Sequence, residues 1–397
     1  MLFQALDNKQ ECVGVYVDGR LVYDELPSGL TKTWGYSAFL SDQEVEFAGL
    51  YCVGKDLTDV CPEHLRESWE SVSNRMRAYL RSFVTSGVSL EENCFYDLVP
   101  HRYLMEFCDL KNQITEHVLE NIPRPENYDH LLSVTKLTTE ISNQKLNIQP
   151  ANIKHLRANL QTRNLLKKLK KTTPYCKYNV DGTKTGRLTT NPAGFPILTL
   201  KREHRPLLEP NNDWFVELDF NAAELRVLLS LANKSQPDMD IHKWNIQNIF
   251  GDQGTRSDAK KRAFAWLYNP QSEDHTMNRF YERDEVLKKY WDGQTVKTVF
   301  GREIPADDFH ALNYIVQSTC ADMVLEQACK IRSLLAQKRS TIAFVVHDSI
   351  VLDLADEDRQ ELLHLVDEFS STRLGNFMVN ISAGKNFGKL RELRVNG

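Results

Sequence analysis

No apolar run in this 397-residue chain approaches the twenty or so residues needed to cross a bilayer. The N-terminal segment MLFQALDNKQ has no basic stretch followed by a long apolar one, so no secretory leader is expected. The eight cysteines (Cys12, Cys52, Cys61, Cys94, Cys108, Cys176, Cys320, Cys329) form no CxxC pair and no zinc-ligand spacing. They read as reduced core or surface thiols of a cytoplasmic protein, which sets aside a disulfide scaffold. Internal repeats and low-complexity tracts are lacking as well. A net charge of −5 shows none of the basic excess typical of a nucleic-acid binder.

What is present is an ordinary globular balance, 41% hydrophobic and 26% charged, with length for two or three domains. The charge is unevenly spread. Residues 1–150 hold 23 acids against 13 Lys and Arg, a balance of −10, and the remainder is at +5. The C-terminal part could therefore hold phosphates, although ordinary scatter gives the same asymmetry.

From Glu11, the segment ECVGVYVDGRLVYDEL reads as a hairpin: Val13, Val15 and Val17 alternate, Asp18-Gly19 turns, and Leu21-Val22-Tyr23 returns. Helical stretches are expected over 62–85, 97–121 and 127–144, the last two separated by Pro123 and Pro125. The first 130 residues thus suggest a small α+β domain. QTRNLLKKLKK (161–171) gathers Lys167, Lys168, Lys170 and Lys171 around Leu165, Leu166 and Leu169. A helix lying along a phosphate backbone and a plain solvated helix face fit this equally.

Beyond about residue 175, short apolar strands alternate with helices. WFVELDF (214–220) and STIAFVVHDSIVLDL (340–354) are the clearest strand candidates, and each carries an aspartate, Asp219 and Asp348. A carboxylate inside a buried strand is costly unless paired or bound to metal. Taken singly, each aspartate reads first as a turn or cap residue. Taken together on adjacent strands, with Asp348 at a hairpin tip, they could hold two Mg²⁺ ions about 3.5–4 Å apart for in-line phosphoryl transfer. Between them, RSDAKKRAFAWLY (256–268) spaces Arg256, Lys260, Phe264 and Tyr268 four residues apart. That spacing makes one helical stripe, cationic at its start and aromatic at its end, suited to phosphates at one end and a base and sugar at the other. A simple amphipathic helix is the alternative.

These segments resemble the motifs of family A (polymerase I-like) DNA polymerases. DFNAAELR is similar to motif A, DYSxxELR; 256–268 to motif B, R-x3-K-x3-F/Y-x3-Y; and VHDSIVLDL to motif C, VHDEhxxE with h apolar. TGRLTTNP (185–192), DIHKWNIQNIFG (240–251), TVFGRE (298–303) and NYIVQSTCADMV (313–324) resemble further blocks in family order, so that the likeness runs from about 180 to 390.

The resemblance implies an α+β right-hand polymerase with an antiparallel-sheet palm, helical fingers and a short thumb, preceded by a small α+β N-terminal domain. The expected partition is N-terminal domain 1–130, reduced thumb and linker 131–180, palm 181–239 and 301–397, and fingers 240–300. It implies two Mg²⁺ ions, with Mn²⁺ able to substitute, held by Asp219, Asp348 and the carbonyl of Phe220. Arg256 and Lys260 would hold the triphosphate of an incoming deoxynucleotide, with His242 touching it, and Lys260 would double as general acid toward pyrophosphate. Glu224 would exclude a ribose 2′-hydroxyl, Phe264 would pack on the incoming sugar and base, and Tyr268 would stack by the templating position. Arg187, Asn313, Gln317 and His347 match positions that contact primer-template DNA. Other replication proteins, a processivity factor among them, are conceivable partners; a membrane is not. The compact length suggests a bacteriophage or mobile-element enzyme working in host cytoplasm.

The chain also departs from the pattern. Ser349 stands in place of the second acid of motif C, Asn269-Pro270 replaces the glycine after motif B, and Asn221-Ala222 replaces Ser-Gln in motif A. Only about 30 residues separate the helix at 127–144 from TGRL, so the thumb must be very short or be built partly from the N-terminal helices. The N-terminal region shows neither the D-x-E pair nor the Y-x3-D segment of a 3′–5′ exonuclease, which leaves a reduced, inactive exonuclease-like domain or an unrelated helical module. Three readings remain open: a DNA polymerase without proofreading, a related RNA polymerase or reverse transcriptase, and a catalytically weak or inactive polymerase fold serving as an accessory protein.

Overall fold

The computed structural model describes the chain except residues 9–10, 24–25, 42, 53, 89–92, 270 and 394–397, together with the side chains of 8, 11 and 12. Pro270 of the motif B departure therefore lies outside the described residues. Contacts divide the chain into two units, Met1–Lys136 and Leu137–Gly397.

In the first unit the expected hairpin forms from β2 (Glu11–Val17) and β3 (Arg20–Val22), turning at Asp18 and Gly19, both with positive φ. A strand that the sequence pattern did not suggest, β1 (Phe3–Asn8), pairs antiparallel with β2. Successive residues of a strand face opposite sides, and here both sides are covered. Val15 and Val17 pack with Phe3, Leu40 and Phe47, whereas Tyr16 and Leu6 pack with residues of α1 (Glu63–Thr85) and α2 (His101–Asn121) such as Trp69, Val72, Tyr103 and Ile114. Pro62 and Pro100 stand at the N-caps of these helices, where a missing N–H costs nothing. The next helix, α3 (Tyr128–Asn143), crosses the boundary between the units.

The second unit opens with the basic helix α4 (Leu160–Leu169), capped by Asn159, whose side chain accepts from the Gln161 amide. Lys167 and Lys168 are exposed on it, and Thr162 is buried against His204. Its centre is a five-stranded antiparallel sheet. The members are β4 (Trp214–Phe220), β5 (Thr341–Val346), β6 (Ser349–Leu354), β7 (Val379–Gly384) and β8 (Arg391–Glu392), in the order β5-β6-β4-β7-β8. One face is apolar: Val216, Leu218 and Phe220 are buried, and Phe220 stacks on Phe369 of α11 (Leu362–Ser370) at 4.4 Å. The 25-residue helix α10 (Ala311–Leu335) carries a largely buried surface into the same core. On the opposite face an aromatic cluster of Phe215, Phe344 and Phe387 covers one end, and Glu217 and Asp219 emerge toward the other.

After β4 the chain enters α5 (Ala223–Leu231), then α6 (Ile241–Asn248), α7 (Arg256–Tyr268), α8 (His275–Phe280) and α9 (Arg283–Tyr290). A Thr255/Asp258 capping box opens α7, and Ala259, Ala263, Trp266 and Leu267 form its buried side. Among the described residues no helix is long and apolar enough to cross a membrane.

Candidate active site

The two aspartates reach one place by different routes. Asp219 is the penultimate residue of β4, and Asp348 lies in the two-residue turn between β5 and β6 rather than inside a strand. The turn is made by His347, whose φ of 55° lies in the left-handed region that histidine tolerates better than most residues. The Phe220 amide donates to the Asp348 carbonyl at 3.3 Å, tying the hairpin tip to the end of β4. Asp219 sits in register with Ser349 on one side and Asn380 on the other, and the Asn380 amide donates to its Oδ2 at 3.1 Å.

Burial raises the carboxyls of both residues. That of Asp219 is pushed up to about 7 by desolvation and the neighbouring charge of Asp348, with Asn380 and Lys260 opposing. That of Asp348 rises through desolvation against the pull of its own backbone, His347, Arg187 and Lys260. Burial thus leaves two neighbouring carboxyls poorly solvated, a setting that fits a divalent cation. Among the described residues no group of three or more His, Cys, Asp or Glu gathers as a metal cage. Two carboxylates suit Mg²⁺, which keeps few protein ligands and completes its shell with water and phosphate oxygens.

Beside Asp348 lies a cavity of about 270 Å³ lined by Arg187, Glu224, His242, Phe264, Tyr268 and Cys320, among others. α5 presents Glu224 because Ala222, at φ 50°, turns the strand sharply into the helix. Glu224 accepts hydrogen bonds from Arg187 and from the Tyr268 hydroxyl, the latter at 2.5 Å. α7 supplies the stripe read from the sequence: the rings of Phe264 and Tyr268 are parallel with centroids 5.8 Å apart, and the Lys260 ammonium lies 5.6 Å from the centre of Phe264. Phe264 and Tyr268 are about 40% exposed, large aromatic surfaces on the solvent-facing side of a helix that buries Ala259, Ala263, Trp266 and Leu267. His242 is buried beside Phe264. Its imidazole is held neutral, pushed down to about 4 by desolvation and the charges of Arg256 and Lys260 against the opposing pull of Asp240. His242 Nδ1 has no partner among the described residues.

Arg256, expected to be free for phosphate, donates through Nε and Nη2 to Asp240 at 3.0 and 2.6 Å. Burial alone would raise the Asp240 carboxyl, but Arg256, Asn221 and the Lys243 amide hold it well below its usual range. Asp240 also caps α6 through His242 and Lys243. On α10, Asn313 and Gln317 are half-buried, and Asn313 Oδ1 has no partner among the described residues. His347 and Arg187 line the cavity.

Several contributors were assigned no role from the sequence, although motif blocks hold Gly186, Arg226, Arg302 and Asp322. The fully buried Arg226 donates to the carbonyls of Asn221, Pro237 and Met239, fixing the chain between motif A and α6. Arg302 and Asp322 form a buried bidentate pair at 3.0 and 2.8 Å. Gly186, at φ 75°, lies against that guanidinium, where a Cβ would sit 2.5 Å from Arg302 Nη2. Three blocks of the sequence therefore interlock beneath Arg187. Ordered motif blocks hinted at such a joint; no local pattern pointed to Asn380 or Glu217.

An antiparallel sheet with two half-buried carboxylates at its end, beside a cavity that Phe264 and Tyr268 of α7 line, fits a right-hand polymerase architecture. The fold comparison agrees: the chain matches the polymerase domain of Pol1 from M. smegmatis, solved in complex with DNA primer-template and dNTP, with a TM-score of 0.64. The match covers 86% of this chain and 82% of that one at 14% identity, which establishes the α+β polymerase fold. In sequence the chain is 25% identical to the DNA polymerase of Bacillus phage SP01, over 55% of this chain and 32% of that protein, and so spans about a third of that relative's length. No family model matches the chain.

Proposed function

We propose that this chain is a template-directed DNA polymerase that adds deoxynucleotides to a primer 3′ end by two-metal phosphoryl transfer. The observation that carries the reading is the convergence of Asp219 and Asp348, from two strands locked by the Phe220–Asp348 backbone bond, beside a cavity lined by α7. The phage relative and the fold match support it.

In this reading Asp219, Asp348 and the Phe220 carbonyl hold two Mg²⁺ ions, for which Mn²⁺ can substitute. The ions supply charge neutralisation and activation of the primer hydroxyl. Lys260 faces the same carboxylates and, with Arg256, binds the triphosphate; Arg256 exchanges Asp240 for phosphate oxygens. Lys260 also gives a proton to departing pyrophosphate in this reading. The neutral, unpartnered His242 Nδ1 is a further contact for the nucleotide. Phe264 packs on the sugar and base, Tyr268 stacks by the template, and Glu224 excludes a 2′-hydroxyl. Arg187, Asn313, Gln317 and His347 contact the primer-template duplex. The proposed partition is fingers over 240–300, palm over 181–239 and 301–397, reduced thumb over 131–180, and a 1–130 domain without proofreading.

Primer extension by Asp219→Asn and Asp348→Asn tests the reading. Each variant should lose about 10³-fold or more in rate, the several kcal/mol a catalytic metal provides, and still bind primer-template. Full extension by either variant refutes it.

A further inference from the structure

We propose that Glu217 is a positioning residue for the two-aspartate site, supplying from β4 the third negative charge that Ser349 withholds from β6; this rests on the polymerase reading above. Strand periodicity puts Glu217 and Asp219 on the same face of the sheet, and both are half-buried there. Asp219 pairs with Ser349 and Glu217 with Val351, so Ser349 is the diagonal neighbour of Glu217. That diagonal is within reach of a long side chain. Glu217 closes it: the Ser349 hydroxyl lies 3.4 Å from Glu217 Oε1 while also donating to the Val346 carbonyl at 3.0 Å. Ser349 is only 3% exposed, so a small residue at 349 and a long acid at 217 share one space above the sheet. The arrangement exchanges a small and an acidic side chain across two strands and keeps the charge.

Glu217 is not bound up in a local ion pair. Arg205 attracts it but stacks its guanidinium over Phe387 at 4.6 Å, and no Arg205–Glu217 ion pair forms among the described residues. Burial raises the Glu217 carboxyl, Arg205 and the Ser349 hydroxyl oppose that rise, and the charge of Asp348 adds a smaller push; Glu217 in turn adds a minor push at Asp219. Since no three-acid cage exists among the described residues, Glu217 acts on the metals through field and through Asp219 and Ser349, rather than as a ligand.

The test is Mn²⁺ alone, titrated into the full chain and followed by electron paramagnetic resonance, beside primer extension against Mg²⁺ concentration. Glu217→Gln should weaken Mn²⁺ binding about tenfold, the low end for groups standing behind a ligand, and shift the Mg²⁺ requirement upward in parallel. Adding Ser349→Glu to that variant should restore most of the loss, because the charge returns from the neighbouring strand. Glu217→Asp, which keeps the charge, should stay near the parent. Binding in Glu217→Gln equal to the parent, failure of Ser349→Glu to restore it, or an equal loss in Glu217→Asp each overturns the role. Asp219→Asn separates the two levels: if it leaves Mn²⁺ binding intact, the metal site itself is misread and both proposals fall; if it removes binding while Glu217→Gln does not, only the role of Glu217 fails.

Discussion

Asp219 shows how a proposed metal ligand opposes the stability of its own fold. Its carboxyl, pushed up to about 7 in the folded chain, titrates near 3.9 when unfolded. The protonated form therefore favours folding. This contribution is complete below about pH 4 and is lost as pH rises through about 7. Without metal, the chain should lose stability over that window, and Asp219→Asn should be more stable than the parent at pH 8 by on the order of 1–3 kcal/mol. Urea unfolding in EDTA at pH 5 and pH 8 measures it; an Asn variant no more stable than the parent at pH 8 would show that desolvation is not the cause. Glu224 makes a second prediction at this scale. Both of its neighbours, Arg187 and Tyr268, hold its carboxylate at the cavity wall. Glu224→Ala should lower the ratio of kcat/KM for deoxy- over ribonucleotides by about tenfold or more, since a space replaces a clash. An unchanged ratio removes Glu224 from sugar selection.

Elements, not single residues, decide whether Arg187 can act. Its loop rests on Gly186, which lies so close to Arg302 that no side chain fits, and Arg302 is fixed in turn by the fully buried Asp322. Removing one partner leaves an uncompensated buried charge, so Asp322→Ala should cost about 3–5 kcal/mol. Gly186→Ala should also destabilise, because the guanidinium it would displace is held at two atoms and φ is 75°. Thermal unfolding of the two variants, with the double variant to detect coupling, checks this joint; independent and additive losses would argue against it. α7 shows what an element reveals in sequence and what it conceals. The four-residue spacing of Arg256, Lys260, Phe264 and Tyr268 marked the stripe, because helical geometry is local. That Arg256 is engaged by Asp240, sixteen residues earlier, depends on how α6 meets α7 and had no sequence signature.

At the scale of the molecule, the proposed reduced thumb over 131–180 has a consequence. Between Asn143 and the strand residue Tyr178, the described helices are Pro150–Leu156 and Leu160–Leu169. In the proposed polymerase this segment would have little structure with which to enclose duplex DNA, and the exposed lysines of α4 would add mainly salt-sensitive phosphate contacts. The isolated chain should therefore extend primers by short increments under single-encounter conditions, and its products should shorten further as salt rises; long products insensitive to salt would contradict this.

The sequence by itself determined the elements that carry chemistry, because their signals are local. Alternating β-branched and aromatic residues made WFVELDF a strand, the hairpin tip placed Asp348, and helical periodicity aligned the stripe on α7. Ordered motif blocks then indicated the polymerase architecture. Only the tertiary structure decided what lies beside Asp219. Asn380 and Glu217 reach it through sheet register, and register is set by packing between strands far apart in sequence. The same reason explains the Asp240–Arg256 contact and the Gly186–Arg302–Asp322 joint: each joins separate motif blocks, and no block by itself shows which other it meets.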